Sequence, residues 1–396
     1  MTATTGAPYQ GEQSDPLAVD SRLTPAELEL RSETRAKLAE IAPPASVTGW
    51  YENAEAPREL IRELGRAGLL LPQVEGYGRT AETAVGQGLI SGELESVDSG
   101  IRSMAAVHGS LSAHAIYAHG SDEQKDEWLP RMVTGDAVGS FCLTEPNVGS
   151  DPSSMETTAR RRGEDWILDG RKAWVTNGPV ADVAVVWAQT DEGVRGFVVP
   201  TDVARFSAPL IKHKMSLRAS VTSELVLDGV RLPADAVLPG VVGLKGPLTC
   251  LNEARYGIVW GAMGAARSSL QCALEYAGSR VQFGRPIAGF QLTQAKIADM
   301  TLEVVKGMLL ALHLGRAKDA RGLLPVEVSL GKLNNVREAL EVCRTARTVL
   351  GANGISLEYP VIRHMANLES VLTYEGTSEM HALSIGHAMT GESAFR

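Results

Sequence analysis

The order of secondary-structure signals along this chain, helical then β then helical again, most constrains its fold. Apolar residues recur at helical spacing from about residue 24 to residue 134. Between about residues 135 and 240 the pattern changes to short β-branched and aromatic runs such as Val183–Trp187, separated by Gly, Pro and Asp. Helical spacing returns near Asn252 and persists through the last third. This order predicts two helical regions with a small β domain between them.

These changes of pattern divide the chain into four parts. They are a disordered amino terminus (1–22), a helical amino-terminal domain (23–134), a central β domain (135–240) and a carboxyl-terminal helical domain (241–396). The first part is polar and rich in Gly, Thr and Ser, which favours flexibility. Residues 86–118 have few helix breakers and predict one long run of helix. The Asp169-Gly170 and Asp228-Gly229 pairs are typical of turns between strands.

Composition excludes several classes of function. A net charge of -9 over 396 residues provides no basic field for nucleic acid or anionic lipid. No apolar run approaches the roughly 18 residues of a membrane span, and residues 1–16 lack the pattern of a signal or transit peptide. The four cysteines are widely spaced, without a CxxC pair, so neither a metal site nor a disulfide framework is indicated. We expect a cytoplasmic protein without nucleic-acid partners or membrane insertion.

Glu375 is the strongest candidate for a chemical role. It lies between Tyr374 and Gly376 in a segment with almost no neighbouring positive charge. A carboxylate in a mostly apolar pocket has its pKa raised by desolvation, which allows it to accept a proton near neutral pH. Gly376 would let the backbone pass close to a ligand. The alternative, from these residues alone, is a solvated carboxylate on a loop.

Three other clusters combine polar and aromatic groups in loops. Residues 141–151 place a hydroxyl beside Pro and a Gly-Ser pair, which suits contacts to heterocycle edges or phosphate oxygens. Residues 174–177 set a tryptophan beside a hydroxyl, and residues 280–284 end a helical stretch with a cation and an aromatic ring. The alternatives are an ordinary turn, a core tryptophan and a cation favoured by the helix dipole.

These clusters, in their order and spacing, resemble the successive signatures of the acyl-CoA dehydrogenases. The matching motifs are Leu-Thr-Glu-Pro with Gly-Ser-Asp (143–151), Trp-Val-Thr-Asn (174–177), Arg-x-Gln-Phe-Gly (280–284), Gly-Ala-Asn-Gly (351–354) and Tyr-Glu-Gly-Thr (374–377). The similarity covers nearly everything after about residue 25. It implies a multidomain α+β fold with a helical amino-terminal domain, a central β domain and a carboxyl-terminal four-helix bundle. It also implies an FAD cofactor and a homotetramer.

Within that family, four further segments are most similar to the members that act on glutaryl-CoA. These segments are 97–103, 151–156, 216–220 and 254–258. The resemblance implies FAD-dependent α,β-oxidation of a dicarboxylic acyl-CoA, most similar to glutaryl-CoA, with decarboxylation to crotonyl-CoA and an electron-transferring flavoprotein as acceptor. The chain departs from the pattern at Ala106, where those members usually have serine, and at Ile101, which replaces an aromatic residue.

The resemblance also assigns FAD contacts residue by residue. They are Phe141, Leu143, Thr144, Gly149, Ser150, Trp174, Val175, Thr176, Arg280, Phe283, Gln291, Thr348, Leu350, Gly351, Ala352 and Thr377. Thr144 and Thr176 would lie near the ring that accepts hydride. Arg280 and Gln291 would reach the FAD of a neighbouring subunit, where an arginine fork suits the pyrophosphate. Residues 348–352 would add backbone contacts.

On the substrate side, Glu375 matches the catalytic base of the family. The matching acyl-CoA contacts are Arg102, Ser103, Ser150, Leu248, Asn252, Arg255 and Tyr374. Some members place the base just before the arginine that corresponds to Arg255, but this chain has Ala254 there, so Glu375 has no rival. Arg102 and Ser103 match the positions that meet the distal carboxylate. A buried guanidinium needs a counter-charge, which either that carboxylate or Glu95, seven residues earlier, would supply.

Several readings remain open from the sequence. One alternative is a dehydrogenase for short-chain or other diacyl thioesters, without decarboxylation. Another is an acyl-CoA oxidase on the same fold. A flavin monooxygenase, or an acyl-CoA-binding protein without turnover, would have no need for the base that Glu375 provides. The sequence leaves open whether the acyl group is carried on CoA or on a carrier protein.

Overall fold

A computed structural model describes residues 15–394. Ordered structure begins before the predicted start near Leu23, with a 3₁₀ helix at Val19–Arg22. Val19 is buried against the helices, and Asp20 accepts two hydrogen bonds from Arg31, at 2.5 and 2.6 Å. The prediction of disorder is therefore wrong for residues 15–22, because these contacts fix the segment on the first helix. The rest of that prediction, residues 1–14, lies outside the described residues.

The helices of the amino-terminal domain are α1 (Pro25–Ile41), α2 (Pro44–Asn53), α3 (Glu59–Arg66), α4 (Ala84–Val97), α5 (Ser99–Ala106), α6 (His114–His119) and α7 (Asp122–Thr134). Thr24 and Glu27 form a capping box that starts α1. The run predicted as one long helix over 86–118 is interrupted, because Asp98 is extended and caps α5 with its side chain. A π-helical turn, Val107–Ala113, joins α5 to α6.

The central domain is a mixed seven-stranded sheet in the order β1-β4-β2-β3-β7-β6, with β5 also paired to β4. Its strands are β1 (Gly139–Cys142), β2 (Thr158–Arg162), β3 (Asp165–Thr176), β4 (Val183–Thr190), β5 (Gly193–Pro200), β6 (Phe206–Ser207) and β7 (Thr222–Leu232). Along β4, Val183, Val185 and Trp187 pack on the amino-terminal helices. Ala184 and Val186 alternate with them and fill the core of the β domain. Strand β4 is thus buried on both faces, which explains its continuous apolar sequence.

The two Asp-Gly pairs do not form turns, and that prediction is wrong. Asp169 and Gly170 lie inside β3, and Asp228 lies opposite Asp169 inside β7. The register shifts between Leu168 and Asp169 because Gly229, with φ 68°, is an extra residue on β7, so Gly229 accommodates a β-bulge rather than a hairpin turn. A Cβ on Gly170 would lie 2.5 Å from the Thr157 hydroxyl oxygen, which explains why only glycine fits there.

The carboxyl-terminal domain contains α8 (Lys245–Ser279), α9 (Gln291–Arg321), α10 (Pro325–Val349), α11 (Val361–Thr373) and α12 (Ser378–Thr390). A short hairpin, β8 (Val281–Gln282) and β9 (Arg285–Pro286), joins α8 to α9. Side chains of α8, α9, α10 and α11 share one apolar core, which is the predicted four-helix bundle. Helix α8 also packs on α4, and a second core made by α4, α8 and α9 ties the bundle to the amino-terminal domain.

The predicted domain limits at 134/135 and 240/241 fall in the connections after α7 and before α8. Within residues 15–394, no helix is long and apolar enough to span a membrane. The cytoplasmic location stays a prediction. The amino-terminal and carboxyl-terminal domains meet where α5, α8, α10 and the connection between α11 and α12 approach one another, and the candidate site lies at this junction.

Candidate functional site

The connection between α11 and α12, which we call the 374–377 loop, carries Glu375. Its backbone is unusual, since Glu375 has φ 52° and Gly376 has φ 98°. A residue other than glycine in the left-handed region costs roughly 1 to 3 kcal/mol and persists only where the surroundings hold it. Thr377 then caps α12 by accepting a hydrogen bond from the Met380 N–H. The orientation of the Glu375 side chain therefore depends on a strained backbone conformation of the loop.

The Glu375 carboxyl group lies in a water-poor environment. Its Oε2 atom is buried and has no hydrogen-bond partner. Burial raises the pKa of Glu375, while the positive charges of Arg102, Lys332 and Arg255 oppose that rise. The alternative of a fully solvated loop carboxylate does not fit this environment. The group retains an oxygen free to accept a proton.

Two cationic side chains hold three successive carbonyl groups of the loop. Lys332 Nζ on α10 donates to the carbonyl oxygens of Tyr374 at 2.7 Å and Gly376 at 2.8 Å. Arg255 Nε on α8 donates to the Glu375 carbonyl oxygen at 2.6 Å. These bonds satisfy buried acceptors and stabilise the strained backbone. Arg255 was predicted from the sequence, whereas Lys332 was missed.

Arg102 is buried on α5 with only 1% of its surface exposed. Its Nε donates to Glu95 Oε2 at 2.7 Å, and its Nη2 donates to the Tyr374 hydroxyl group. The third nitrogen, Nη1, is buried without a partner, as is the Ser103 hydroxyl group. Glu95 therefore provides the counter-charge of Arg102 in this structure. The unpaired donor still leaves room for one further acceptor.

Gly261 on α8 makes space for this buried ion pair. A Cβ at position 261 would lie 2.1 Å from Glu95 Oε2 and 3.3 Å from Arg102 Nε. Any larger residue would displace the carboxylate from the guanidinium. The Glu95–Arg102 pair thus depends on close approach of α8 to α4 and α5.

Asp98 fixes the start of α5 and so the direction of Arg102. Its Oδ1 accepts from the Gly100 N–H at 2.6 Å. Its Oδ2 accepts from Arg363 Nη1 at 2.5 Å and from Asn367 Nδ2 at 2.9 Å, both on α11. Helix α11 leads directly into the 374–377 loop, so one buried network positions both Arg102 and Glu375.

The predicted flavin motifs of the β domain come together at the end of β3. The Ala173 N–H donates to the Thr144 carbonyl at 2.9 Å. Buried Lys172 donates to Glu145 Oε1 at 2.7 Å and to the Leu143 carbonyl at 3.1 Å, which ties the loop after β1 to β3. Trp174 follows with φ 58° and 63% of its surface exposed, so it presents an aromatic face rather than filling the core.

Other members of this group differ in exposure. Thr144 and Thr176 are partly exposed, and Gly149 and Ser150 are exposed. The side chains of Phe141 and Val175 are buried in the cores of the protein, so they would meet a ligand mainly through the backbone. Asn177 Nδ2 donates to the Met104 carbonyl at 3.1 Å, which joins this region to α5 and Arg102.

A second set of predicted cofactor residues lies at the end of the bundle where α8 ends and α9 begins. Arg280, Phe283, Gln291, Thr348, Gly351 and Ala352 are all exposed there. Phe283 is 94% exposed at the tip of the β8–β9 hairpin. The side chain of Leu350 is buried in the bundle core, which leaves its backbone for contacts. Asn353 Nδ2 donates to the Tyr276 hydroxyl at 3.1 Å and joins the glycine-rich turn to α8.

The predicted acyl-CoA contacts of α8 lie on successive turns of one helical face. Arg255 Nη1 donates to Asn252 Oδ1 at 3.2 Å, so Asn252 belongs to the group around Glu375. Leu248, one turn earlier, is 39% exposed. Ser150 lies on the exposed loop after β1. The roles of Leu248 and Ser150 stay predictions.

Comparison with known proteins decides the family. Family models for acyl-CoA dehydrogenases match residues 24–136 with the amino-terminal domain, 140–230 with the middle domain and 242–390 with the carboxyl-terminal domain. The chain is also 34% identical over 342 residues to the mitochondrial short-chain specific acyl-CoA dehydrogenase of Homo sapiens, covering 84% of this chain and 83% of that protein. The chain belongs to the acyl-CoA dehydrogenase family. The predicted fold is therefore confirmed.

Two solved structures of glutaryl-CoA dehydrogenase from Mycobacterium smegmatis are similar to this acyl-CoA dehydrogenase. The first is 63% identical, with a TM-score of 0.95, and covers 97% of this chain and 99% of that chain. The second was solved in complex with FADH₂. It is 57% identical, with a TM-score of 0.94, and covers 95% of this chain and 97% of that chain.

Sequence reasoning missed several residues of this acyl-CoA dehydrogenase. They are Lys332, the Asp98–Arg363 pair and the Lys172–Glu145 pair. A signal for Lys332 was present, because it lies between Val328 and Val336 at spacings of four in α10, where a lysine would be buried with apolar neighbours. The two ion pairs join residues far apart in sequence, so no local pattern indicates them.

Proposed function

We propose that this protein is an FAD-dependent dehydrogenase that acts on glutaryl-CoA, with Glu375 as the base and Arg102 as the receptor of the distal carboxylate. One observation carries the proposal: an unpartnered carboxylate oxygen and an unpartnered guanidinium nitrogen lie in one buried site, connected through Tyr374. In a water-poor site, a carboxylate oxygen and a guanidinium N–H group without hydrogen-bond partners fit a substrate that offers an α-proton and an anion. The similarity to the mycobacterial glutaryl-CoA dehydrogenases supports this substrate.

The residues at the end of β3 fit a flavin. Trp174 offers an exposed aromatic face in a strained conformation, and Thr144 and Thr176 keep hydroxyl groups near it on the same strand and its neighbouring loop. Exposed backbone at Gly149 and Ser150 suits contacts to polar groups of the cofactor. FAD, when bound, supplies the acceptor for a hydride from the substrate Cβ.

In this proposal, Glu375 removes an α-proton from the bound thioester. Burial, which raises its pKa, makes the carboxylate a stronger base than one in water. The backbone N–H of Glu375 would donate to the thioester oxygen and stabilise the developing enolate. Proton and hydride leave opposite faces of the Cα–Cβ bond, and a glutaconyl thioester results.

Decarboxylation follows from the same residues. The bond between Cγ and the distal carboxyl group breaks, CO₂ leaves, and the electron pair enters a conjugated dienolate of the thioester. Glu375, protonated in the first step, returns its proton to Cγ and gives crotonyl-CoA. Arg102 binds the carboxylate before the bond breaks, with Glu95 and Tyr374 fixing the guanidinium plane. The base is thereby restored for the next turnover.

Anaerobic flavin bleaching with a panel of thioesters tests this function. Glutaryl-CoA is expected to bleach the flavin of the holoenzyme faster than butyryl-CoA or a longer diacyl thioester, because its distal carboxylate would pair with the free Nη1 atom of Arg102. Mass analysis should identify crotonyl-CoA as the product. Faster bleaching by butyryl-CoA would support a short-chain dehydrogenase, and accumulation of glutaconyl-CoA would exclude decarboxylation.

We also propose an electron-transferring flavoprotein as the acceptor. Reoxidation of the reduced flavin should then be faster with such a flavoprotein than with air. The comparison separates the dehydrogenase from an acyl-CoA oxidase, whose reduced flavin would react readily with oxygen.

A homotetramer is our proposal for the assembly. Several large apolar side chains of the carboxyl-terminal domain are exposed in the single chain, among them Phe283, Leu292 and Met389. Exposed apolar groups concentrated in one domain favour burial against other copies. Light scattering of the purified protein should give the mass of four chains. A monomer mass would contradict the proposal and would leave Arg280 and Gln291 without the FAD of a neighbouring subunit to contact.

A further inference from the structure

We propose that Lys332 is a positioning residue for the reaction: it holds the 374–377 loop in its strained conformation, and its charge keeps Glu375 ionised. This inference rests on the proposed role of Glu375 as the base. Lys332 does not touch the substrate in this proposal. It acts through the backbone and the charge of the neighbouring loop.

The geometry around Lys332 is that of a clamp. Only 2% of the residue is exposed, and its Nζ spans the carbonyl oxygens of Tyr374 and Gly376, the residues on either side of Glu375. Burying an ammonium group is costly unless it is paired and hydrogen-bonded. An apolar residue of similar length would fill this part of α10 without that cost. The lysine therefore serves the loop rather than the packing of the bundle.

The conformation of the loop explains what the clamp does. Glu375 and Gly376 are both held at positive φ, and the Glu375 carbonyl is bound separately by Arg255 Nε. Without Lys332, two buried carbonyl groups would lack their donors and the turn would relax toward unstrained φ values. A shift of about 1 Å in a reacting group is enough to slow a reaction about 10²-fold. Lys332 thus contributes to the placement of the carboxylate.

Titratable groups on five helices face Glu375, and they leave Lys332 a distinct role. Arg102 on α5 is paired with Glu95 on α4, so their charges largely cancel. Among the charged groups that influence the pKa of Glu375, Arg255 on α8 and Lys332 on α10 are the cations that form no ion pair with another carboxylate. His381 on α12 bonds to Ser329, and burial lowers its pKa to about 3, so it is neutral.

The protonation of Lys332 and Glu375 is therefore linked. Burial lowers the pKa of Lys332, and the Glu375 carboxylate opposes this shift. In turn, the ammonium group opposes the effect of burial that raises the pKa of Glu375. Removing the positive charge raises the pKa of Glu375 further. Since the base must be ionised, the reaction then requires a higher pH.

Two variants of the holoenzyme separate the two effects of Lys332. Lys332→Met removes both the charge and the donors, whereas Lys332→Gln removes the charge and keeps an N–H donor. The rate of anaerobic flavin reduction by glutaryl-CoA is measured against pH. We expect the midpoint of the profile to move up by about one pH unit in both variants. We expect the plateau rate at high pH to fall at least about tenfold in Lys332→Met and less in Lys332→Gln.

The outcomes are distinct. An unchanged midpoint in either folded variant overturns the charge effect, and a wild-type plateau in Lys332→Met overturns the clamp. If neither variant folds with FAD bound, Lys332 is a residue of fold stability and the proposal is wrong. Lys306→Met, at an exposed lysine of α9, is the matched control and should keep the wild-type profile. An active Glu375→Gln variant would instead refute the proposed function itself.

Discussion

Replacing Glu375 by Gln is expected to abolish flavin reduction by glutaryl-CoA while FAD remains bound. The amide keeps the shape of the side chain but cannot accept the α-proton. Loss of general-base assistance alone slows a reaction roughly 10²- to 10⁴-fold. The buried Oε2 atom has no partner in the single chain, so the substitution breaks no hydrogen bond to that atom. Stopped-flow absorbance of the oxidised flavin measures the effect, and the same spectrum reports FAD content.

Glu369→Gln provides the matched control for this experiment. Glu369 lies on α11, is exposed, and pairs with Arg344 on the surface, so its removal should leave the bleaching rate unchanged. In the wild-type protein the rate should rise with pH through the raised pKa of Glu375, since the carboxylate is the active form. Bleaching of the Glu375→Gln variant at close to the wild-type rate would show that the base lies elsewhere.

The side chains of α10 show which buried positions an apolar sequence pattern identifies and which it misses. In its second half, Val336, Leu340 and Cys343 recur at spacings of three and four, and all three are buried, as this helical pattern indicates. In its first half the same spacing extends to Leu330, yet Leu330 is exposed and Lys332 is buried. Lys332 is buried there because its ammonium group donates to the Tyr374 and Gly376 carbonyl groups of the 374–377 loop. The spacing of Lys332 from Val328 and Val336 indicates that it is buried, but the pattern does not identify its partner 42 residues away.

The site shows the same division. The motif around Glu375 could be located from the sequence, because its Tyr-Glu-Gly-Thr run stands in order with the other signatures that resemble the family. Its pKa shift and its left-handed φ could not, since both follow from packing by α5, α8 and α10. The break at Asp98 was also hidden. Its cause is a hydrogen-bond network with Arg363 and Asn367 on α11 rather than a local breaker such as proline.

The contacts of Arg102 define how a distal carboxylate of the substrate would bind to it. Glu95 already neutralises the guanidinium, so a substrate carboxylate is not needed to compensate a bare buried cation. The distal carboxylate would instead join an existing pair through the free Nη1 atom, with the Ser103 hydroxyl as a second free donor. Ile101, where an aromatic residue is usual, is fully buried in the core of the amino-terminal domain. Its substitution therefore concerns packing beneath α5 rather than contact with the carboxylate.

Replacing Arg102 by Met is expected to weaken turnover of glutaryl-CoA far more than that of butyryl-CoA. Removing one partner of a buried charge pair typically costs about 3 to 5 kcal/mol, which corresponds to a selectivity change of about 10²- to 10⁴-fold. The single variant also leaves the buried Glu95 carboxylate without its counter-charge, which would destabilise the protein whichever substrate is used. The double variant Arg102→Met with Glu95→Gln removes both charges and isolates the loss of the carboxylate contact.

The ratio of kcat/KM for the two thioesters is the measurement that decides the role of Arg102. A structural arginine would lower both values together, because misplacement of Tyr374 and the neighbouring base affects every acyl chain equally. A receptor for the distal carboxylate would lower the value for glutaryl-CoA alone, and the double variant should then keep its butyryl-CoA activity. Equal loss with both thioesters in the double variant would contradict the diacid preference. Such a result would favour a short-chain acyl-CoA dehydrogenase in which Arg102 and Glu95 hold α5 against α4.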